Sequence, residues 1–193
     1  MTTSSTRPRM IRAAARFISY SSVDAMSLRA LAAAEHVPMG SVYHHFPGGR
    51  GELVSEAVRY VGDRILERIH AADLDNISEP FSSLAERWRR TRDETGRAVS
   101  CPVVAAALSG QRDIRETAHA VFDAWAAAIA ARLTRAGVDG SEARELGWAV
   151  IASWEGAVTL ARAVGHTDPL DSVGRHLAAT ITAKLSAAGR GQM

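Results

Sequence analysis

Apolar residues recur at intervals of three and four along almost the whole chain, starting near Arg7. This spacing places them on one face of an α-helix, whereas strands would require apolar and polar residues to alternate. The pattern predicts an all-α protein of about nine helices. The first predicted helix covers about Arg7 to Tyr20, and a long helix covers about Arg50 to Ala72.

Glycine and proline mark the predicted ends of the later helices, because glycine favours helix C-termini and proline favours first turns. We expect Pro80 in the first turn of one helix, Ser141 as the cap of another, and a frayed tail from Ala187 to Met193. The predicted breaks between these helices lie at Gly96, Pro102, Gly110, Gly137 and Gly165.

Two short apolar rows lie on either side of a break before Pro38. Leu28, Leu31 and Ala32 form the first row, and Val42 and Phe46 form the second. Two short helices with this spacing predict a helix-turn-helix. The second helix then presents side chains that suit a DNA major groove, where hydroxyl groups meet base edges and apolar groups meet thymine methyl groups. These outward residues are Met39, Gly40, Ser41, Tyr43, His44 and His45.

The run Val-Pro-Met-Gly-Ser-Val-Tyr-His-His-Phe-Pro-Gly-Gly-Arg, which ends at Arg50, is followed by Glu52 and Leu53. It resembles the DNA-binding domain of the TetR family of bacterial regulators, and most of all the LmrA/YxaF-like branch with the lincomycin-resistance repressor. Two residues depart from that pattern. His36 stands at the usual turn glycine and is tolerable, because histidine is enriched in left-handed backbone conformation. Met39 stands where the branch often has a basic residue.

The resemblance implies two domains and a regulatory function. Residues 1–50 would form a three-helix DNA-binding domain, and residues 51–193 would form a helical domain for ligand binding and dimerisation. Each subunit of a homodimer would read half of a palindromic operator in double-stranded DNA, and a small molecule would release the repressor. Phosphate contacts would come from Ser27, Tyr43, His45 and Arg50, and contacts to base edges from Met39, Gly40, Ser41 and His44.

The charge distribution agrees with a DNA-binding N-terminal region. Residues 1–50 carry six arginines against Asp24 and Glu35, whereas residues 51–193 carry 17 basic and 19 acidic side chains. A basic region on a nearly neutral body favours attraction to phosphate. Cys101 is the only cysteine, so no disulfide can form within the chain. Without an apolar signal segment or a membrane-spanning run, we expect a cytoplasmic protein that does not enter a membrane.

Four tryptophans are a large share of the few aromatic residues, and they predict a pocket for a hydrophobic, aromatic effector. Core packing is the alternative for each of them. Cys101, at a predicted helix start, is either an inert thiol or a redox sensor. The residues predicted to line the pocket are Trp88, Cys101, His119, Phe122, Trp125 and Trp154.

The last two long helices carry more apolar residues than one small domain can bury, which predicts a four-helix interface between two subunits. We expect this interface at Val150, Trp154, Val158, Val173, Leu177 and Ile181.

A ferritin-like di-iron protein is the alternative, because Glu67 with His70 and Glu116 with His119 both have the Glu-x-x-His spacing. Each glutamate lies about 200° around its helix from the apolar stripe, so both carboxylates point away from the core. No phosphate-binding glycine loop, nucleophile elbow or zinc-protease motif is present. We therefore expect no catalytic residues, metal or cofactor.

Overall fold

The computed structural model describes residues 6–190, and these residues form helices and connecting loops without a strand. The all-α prediction is confirmed. None of these helices combines the length and the apolar character needed to cross a bilayer. The helices are α1 (Thr6–Tyr20), α2 (Leu28–Ala34), α3 (Met39–His45), α4 (Gly49–Ala71), α5 (Ser78–Thr95), α6 (Pro102–Ala107), α7 (Arg112–Arg135), α8 (Gly140–Val164) and α9 (Asp168–Arg190).

The chain folds into two compact units. The N-terminal unit consists of Met1–Arg64 and Ser100–Val121, and the C-terminal unit of Ile65–Val99 and Phe122–Met193. The N-terminal unit is thus larger than residues 1–50. Its second segment belongs to it because α6 packs against α1. A segment far along the sequence thus completes the N-terminal unit.

The first four helices of the N-terminal unit all bury apolar side chains. The side chains that are inaccessible to solvent include Met10 and Ile18 of α1, Val42 of α3, Phe46 directly after α3, and Leu53 of α4. These residues occupy the positions that the helical spacing assigns to the inner faces. The core fixes α2 and α3 on the supporting helices α1 and α4.

The C-terminal unit contains two adjoining core clusters. One is built around Phe81, Leu133 and Leu177, and the other around Trp88 and Leu170. The half-buried Trp154 packs against both clusters, and its ring centre lies 5.4 Å from that of Phe81. Helices α5, α8 and α9 supply most of these contacts.

Two of the predicted glycine stops are confirmed, because Gly96 and Gly165 end their helices with φ angles of 65° and 80°.

Two details of the later helices differ from prediction. Asp139 caps α8 instead of Ser141, since its carboxylate accepts hydrogen bonds from the amides of Ser141 and Glu142. Helix α9 continues to Arg190, so the expected fraying is wrong for residues 187–190. Residues 191–193 of the predicted tail lie outside the described part.

Candidate nucleic-acid interface

Ser27 begins the helix-turn-helix as the N-cap of α2. Its hydroxyl oxygen accepts a hydrogen bond from the amide of Ala30 at 3.3 Å. This bond satisfies one of the amides that lack a partner in the first turn of a helix. Leu31 and Ala32 on the opposite side of α2 are buried. The predicted phosphate residue Ser27 thus remains exposed, although its oxygen also has a structural role.

The turn between α2 and α3 is closed at His36. This residue has a φ of 52°, the left-handed conformation predicted from the sequence. Its amide donates to the carbonyl of Ala33 at 3.1 Å, and the next amide, that of Val37, donates to Ala32 at 2.8 Å. This pair of bonds is the Schellman motif. With Val37 buried, the motif sets the direction in which α3 leaves the turn.

Helix α3 presents a narrow exposed face. Gly40, Tyr43 and His44 are exposed, and Tyr43 retains 54% of its accessible surface. Val42 and Phe46, on the opposite side, have no accessible surface. Residues at spacings of three and four share one side of a helix, so these three side chains form one surface. A phenol, an imidazole and an uncovered stretch of backbone suit contacts with base edges and phosphates.

The other three predicted contact residues on α3 are less accessible. Met39, Ser41 and His45 are half-buried. The Nε2 atom of His45 is buried and has no hydrogen-bond partner among the described residues. The fully outward orientation expected for these side chains is therefore wrong. They lie at the flanks of the exposed face because they are about 100° away from their neighbours around the helix.

Most of the predicted positive charge in this region is already paired. Arg9 and Arg16 both lie within 4.0 Å of Glu35, and Arg7 lies 3.0 Å from Glu56. Arg50 donates to the main-chain oxygen of Val23 at 2.8 Å. Its other terminal nitrogen lies 4.0 Å from Asp24. Among the six arginines of residues 1–50, these contacts leave Arg12 and Arg29 as exposed cations without an acidic partner in the described part of the chain.

Arg29 is a candidate contact residue that the sequence analysis missed. It is the second residue of α2, directly after Leu28 and close to the cap at Ser27. An exposed arginine in the first turn of a helix adds a cation to amide groups that already attract anions. The sequence did contain a signal for this role, because Arg29 lies two residues after the serine that caps α2.

The residues predicted to surround an effector are divided between the two units. Cys101 and His119 belong to the N-terminal unit, and the aromatic residues belong to the C-terminal unit. Trp88 and Trp154 are part of the C-terminal cores described above. Phe122 and Trp125 form a separate pair, with ring centres 5.5 Å apart and planes at 80°. Trp125 is 2% exposed, whereas Phe122 is half-buried.

The residues predicted for the subunit interface point largely into their own chain. Val150, Leu177 and Ile181 are between 3% and 8% exposed, within the first core cluster. Trp154, Val158 and Val173 are half-buried against the cores. Val150, Leu177 and Ile181 therefore fill the core of their own chain, because side chains in that position are not available to a second subunit. For Trp154, Val158 and Val173 the expected interface stays a prediction.

The residues of the di-iron alternative do not form a metal site. Glu67, His70, Glu116 and His119 are all exposed, and Glu116 pairs with Arg112 at 2.7 Å. Within residues 6–190, no three carboxylate, imidazole or thiol side chains gather where they could hold a metal ion. The geometry offers this alternative no support.

A capped helix, a Schellman turn and a second helix with an exposed polar face define a helix-turn-helix protein of the class that regulates transcription. Residues 78–176 match the family model described as the C-terminal domain of LmrA/YxaF-like transcriptional regulators. The chain is similar to the HTH-type transcriptional regulator Rv0196 of Mycobacterium tuberculosis, with 33% identity over 93% of this chain and 95% of the relative. It is 26% identical to the HTH-type regulator LmrA of Bacillus subtilis, over 85% of this chain and 90% of that protein.

Solved structures show the same fold. A TetR regulator from Legionella pneumophila has a TM-score of 0.79 at 20% identity, and the match covers 93% of this chain and 99% of that one. A TetR regulator from Chloroflexus aurantiacus has a TM-score of 0.73 at 28% identity, covering 93% and 96%. The chain belongs to the TetR family of transcriptional regulators, in its LmrA/YxaF-like branch. It is a DNA-binding regulator.

Proposed function

We propose that the protein is a homodimeric, cytoplasmic repressor that binds a palindromic operator and is released by a small hydrophobic molecule. The observation that carries this proposal is the exposed face of α3, where Gly40, Tyr43 and His44 lie together above the buried Val42 and Phe46. In this proposal the protein regulates and does not catalyse.

The contact residues have different roles in the proposed complex. Tyr43, with Arg29 and Arg12, binds the phosphate backbone and fixes the protein on the duplex. Gly40 and His44 approach base edges. Gly40 permits close approach because it has no side chain, and the space above its backbone is open within the protein. Met39 and Ser41 read bases from the flank of the same face. Ser27, His45 and Arg50 support this surface from their partly covered positions.

We place the subunit interface on the exposed side of α8. Trp148, Leu160 and Val164 retain 47%, 56% and 51% of their accessible surface. Ala152 and Gly156 lie between them at four-residue intervals, and both are exposed. Because each four-residue step turns about 40° around an α-helix, these residues form a ridge that crosses the exposed side obliquely. Large apolar side chains at the ends of a helical row, with small residues in the middle, suit a second helix crossing close to the backbone. A second copy of the same row is the self-complementary partner that two-fold symmetry requires.

We assign the effector to the neighbourhood of Phe122 and Trp125. Trp88 and Trp154 have core partners that account for their burial, whereas the Phe122 ring is half-covered and adjoins a buried indole. An apolar wall of this kind provides affinity for an aromatic compound. The ligand then needs to favour the DNA-incompetent state by only about 1 to 3 kcal/mol.

A gel-shift titration with the intergenic DNA upstream of the gene tests the DNA-binding assignment. Tyr43→Ala should weaken binding to all sequences, because phosphate contacts carry no sequence information. Ser41→Ala should instead change the preference at particular base pairs, by about 1 to 3 kcal/mol for a good contact. Leu108→Ala, at an 80% exposed residue of the N-terminal unit, is the matched control. Unchanged affinity in a folded Tyr43→Ala protein would refute the assignment.

A further inference from the structure

Three arginines share the outer side of α1. Arg9, Arg12 and Arg16 are spaced three and four residues apart, and this spacing places them on one side of a helix. Met10 and Ile18 lie on the other side and have no accessible surface. Helix α1 packs against α2, the first helix of the helix-turn-helix. The three residues, which we call the α1 arginines, therefore form a basic surface beside the DNA-binding motif.

Two of the α1 arginines face a single carboxylate, that of Glu35 at the C-cap of α2. Nη2 of Arg16 donates a hydrogen bond to Oε1 of Glu35 at 3.1 Å, and Nε of Arg9 lies 3.9 Å from Oε2. Glu35 is the only acidic residue in the sequence from 25 to 51. Arg12 has no acidic partner in the described part of the chain. One carboxylate thus neutralises part of the charge of the α1 arginines and leaves Arg12 available.

The contact between Arg16 and Glu35 is exchangeable. Arg16 keeps 64% of its side-chain surface exposed, whereas Glu35 keeps 19%. An ion pair with one partner in solvent contributes little to stability, because water screens the charges and the long side chain loses freedom. A phosphate offers an arginine the same charged oxygen acceptors and can accept two parallel hydrogen bonds. DNA phosphate can therefore replace Glu35 as the partner of Arg16.

Glu35 and Arg16 lie close to the start of the recognition helix. Glu35 is four residues before Met39, the first residue of α3. Four residues span at most about 14 Å, and less in the folded turn that connects α2 to α3. The N-terminal residues of a recognition helix enter the major groove, whose edges are lined by phosphates. Because charges interact over about 8 to 10 Å at physiological salt, the Glu35 carboxylate and the Arg16 guanidinium both act on this part of the DNA backbone.

We propose that Arg16 is a latent contact to the DNA backbone and that Glu35 masks it. Glu35 thereby limits the affinity of the protein for DNA of every sequence, since phosphate contacts carry no sequence information. The inference rests on the proposed function, in which α3 and Arg12 contact DNA. Its consequence is a protein whose DNA binding depends less steeply on salt than the number of arginines on α1 would imply.

Glu35→Gln tests the mask, because it keeps the size of the side chain and a carbonyl acceptor but removes the charge. Fluorescence anisotropy, measured over a range of salt concentrations, gives the affinity for the upstream intergenic DNA and for a duplex of unrelated sequence. At about 0.1 M salt, Glu35→Gln should bind both about 3- to 10-fold more tightly than wild type. The plot of log binding constant against log salt concentration should become steeper by about 1, the value for one added phosphate contact.

Arg16→Gln shows whether this gain comes from Arg16. The double variant Glu35→Gln, Arg16→Gln should lose the gain, because the released cation is no longer present. In a chain that keeps Glu35, Arg16→Gln should weaken DNA binding less than Arg12→Gln does, since Arg12 has no acidic partner to mask it. This comparison of two exposed arginines does not depend on the folding of Glu35→Gln.

Glu116→Gln is the matched control for charge. It also removes one negative charge from the N-terminal unit and releases one arginine, because Glu116 pairs with Arg112 on α7 at 2.7 Å. Its affinity for either DNA should change by less than about 2-fold, since a general gain of charge is screened by salt. Thermal unfolding verifies that all variants are folded.

Three results would overturn the inference. They are wild-type affinity in a folded Glu35→Gln protein, a gain that persists in the double variant, and an equal gain in Glu116→Gln. If Arg16→Gln alone weakens binding as much as Arg12→Gln, Arg16 is not masked, which also refutes it. If wild type binds the upstream DNA and Glu35→Gln does not change the affinity, only this inference fails. If neither protein binds either DNA at low salt, the proposed function fails with it.

Discussion

Arg50, in the first turn of α4, donates a hydrogen bond to the main-chain oxygen of Val23 at 2.8 Å. Val23 is 1% exposed and lies in the loop that leads from α1 to α2. The bond therefore connects the start of the linking helix to the loop that positions the helix-turn-helix. An arginine that resembles a phosphate contact in the sequence has a structural role in the fold.

Arg50→Ala should destabilise the N-terminal unit by about 1 to 3 kcal/mol, because it leaves a buried carbonyl without its charged donor. Arg12→Ala is the matched comparison, since it removes an exposed arginine without an ion pair. Arg12→Ala should keep the wild-type unfolding temperature but bind DNA more weakly. A plot of log binding constant against log salt concentration should become less steep by about 1, which corresponds to the loss of one phosphate contact. Thermal unfolding and salt-dependent gel shifts measure both effects. An unchanged unfolding temperature in Arg50→Ala would contradict the structural role.

Local signals predicted the secondary structure well. His36 at the turn, Gly96 and Gly165 at helix ends and Pro102 at the start of α6 act through their own backbone preferences, so they are visible in the sequence. The cap of α8 was predicted at Ser141 and lies at Asp139, and both residue types are favourable at helix N-caps. Only the observed position of the first helical turn distinguishes them.

Contacts between distant residues could not be predicted in the same way. The pairing of Arg16 with Glu35 depends on how two helices pack, and it decides which arginines remain available for phosphate. Helix α8 has two apolar sides, one with Val150 and Ala157 and another with Leu160 and Val164. Periodicity detects both sides but does not show which one α9 and α5 cover.

The stability of the C-terminal unit should depend on pH through Asp139. The hydrogen bond from the Ser141 hydroxyl, followed by those from the Glu142 and Ser141 amides, holds the pKa of Asp139 below its ordinary value of 3.8. A carboxylate with a lowered folded pKa stabilises the protein fully above the unfolded value, and the contribution is lost as the pH falls through the folded value.

Asp139→Asn retains an acceptor for capping but cannot ionise. We expect it to unfold at a lower temperature than wild type at neutral pH, and the difference should shrink as the pH falls below 3.8 towards full protonation. Thermal unfolding of both proteins across this range measures the effect. Glu145→Gln, at an exposed residue of α8 itself, controls for the loss of one negative charge. A difference between wild type and Asp139→Asn that stays constant with pH would show that ionisation of Asp139 does not contribute.

The proposed effector site predicts that responses to ligand and to DNA can be separated. Phe122→Ala should reduce the release of DNA by apolar aromatic compounds without weakening DNA binding itself, because Phe122 is half-buried beside Trp125. Trp125→Leu should reduce the same response while filling most of the buried space. Tryptophan fluorescence and gel shifts measure binding and release together. A different result would be that aromatic compounds still release DNA fully from Phe122→Ala and Trp125→Leu but not from Trp154→Phe. That result would place the effector site beside Phe81 and Trp154 instead.

The exposed row on α8 predicts which substitutions produce monomers. Leu160→Glu with Val164→Glu should abolish dimerisation and leave the helical content intact, because both side chains are more than half exposed in the single chain. Within an apolar interface, two unpaired carboxylates would be strongly unfavourable. Leu177→Glu should instead unfold the C-terminal unit, since Leu177 is 4% exposed within its own core. Light scattering and circular dichroism distinguish the two outcomes.

Leu108→Glu is the control for the added charge, because Leu108 is 80% exposed and belongs to the N-terminal unit. It should remain dimeric. A dimeric Leu160→Glu, Val164→Glu protein would place the subunit contact on another surface, and a wild-type monomer at micromolar concentration would refute the homodimer. Each half of a palindrome is bound by the helix-turn-helix of one subunit. Monomers should therefore also lose most of their operator affinity, although the helix-turn-helix of each stays folded.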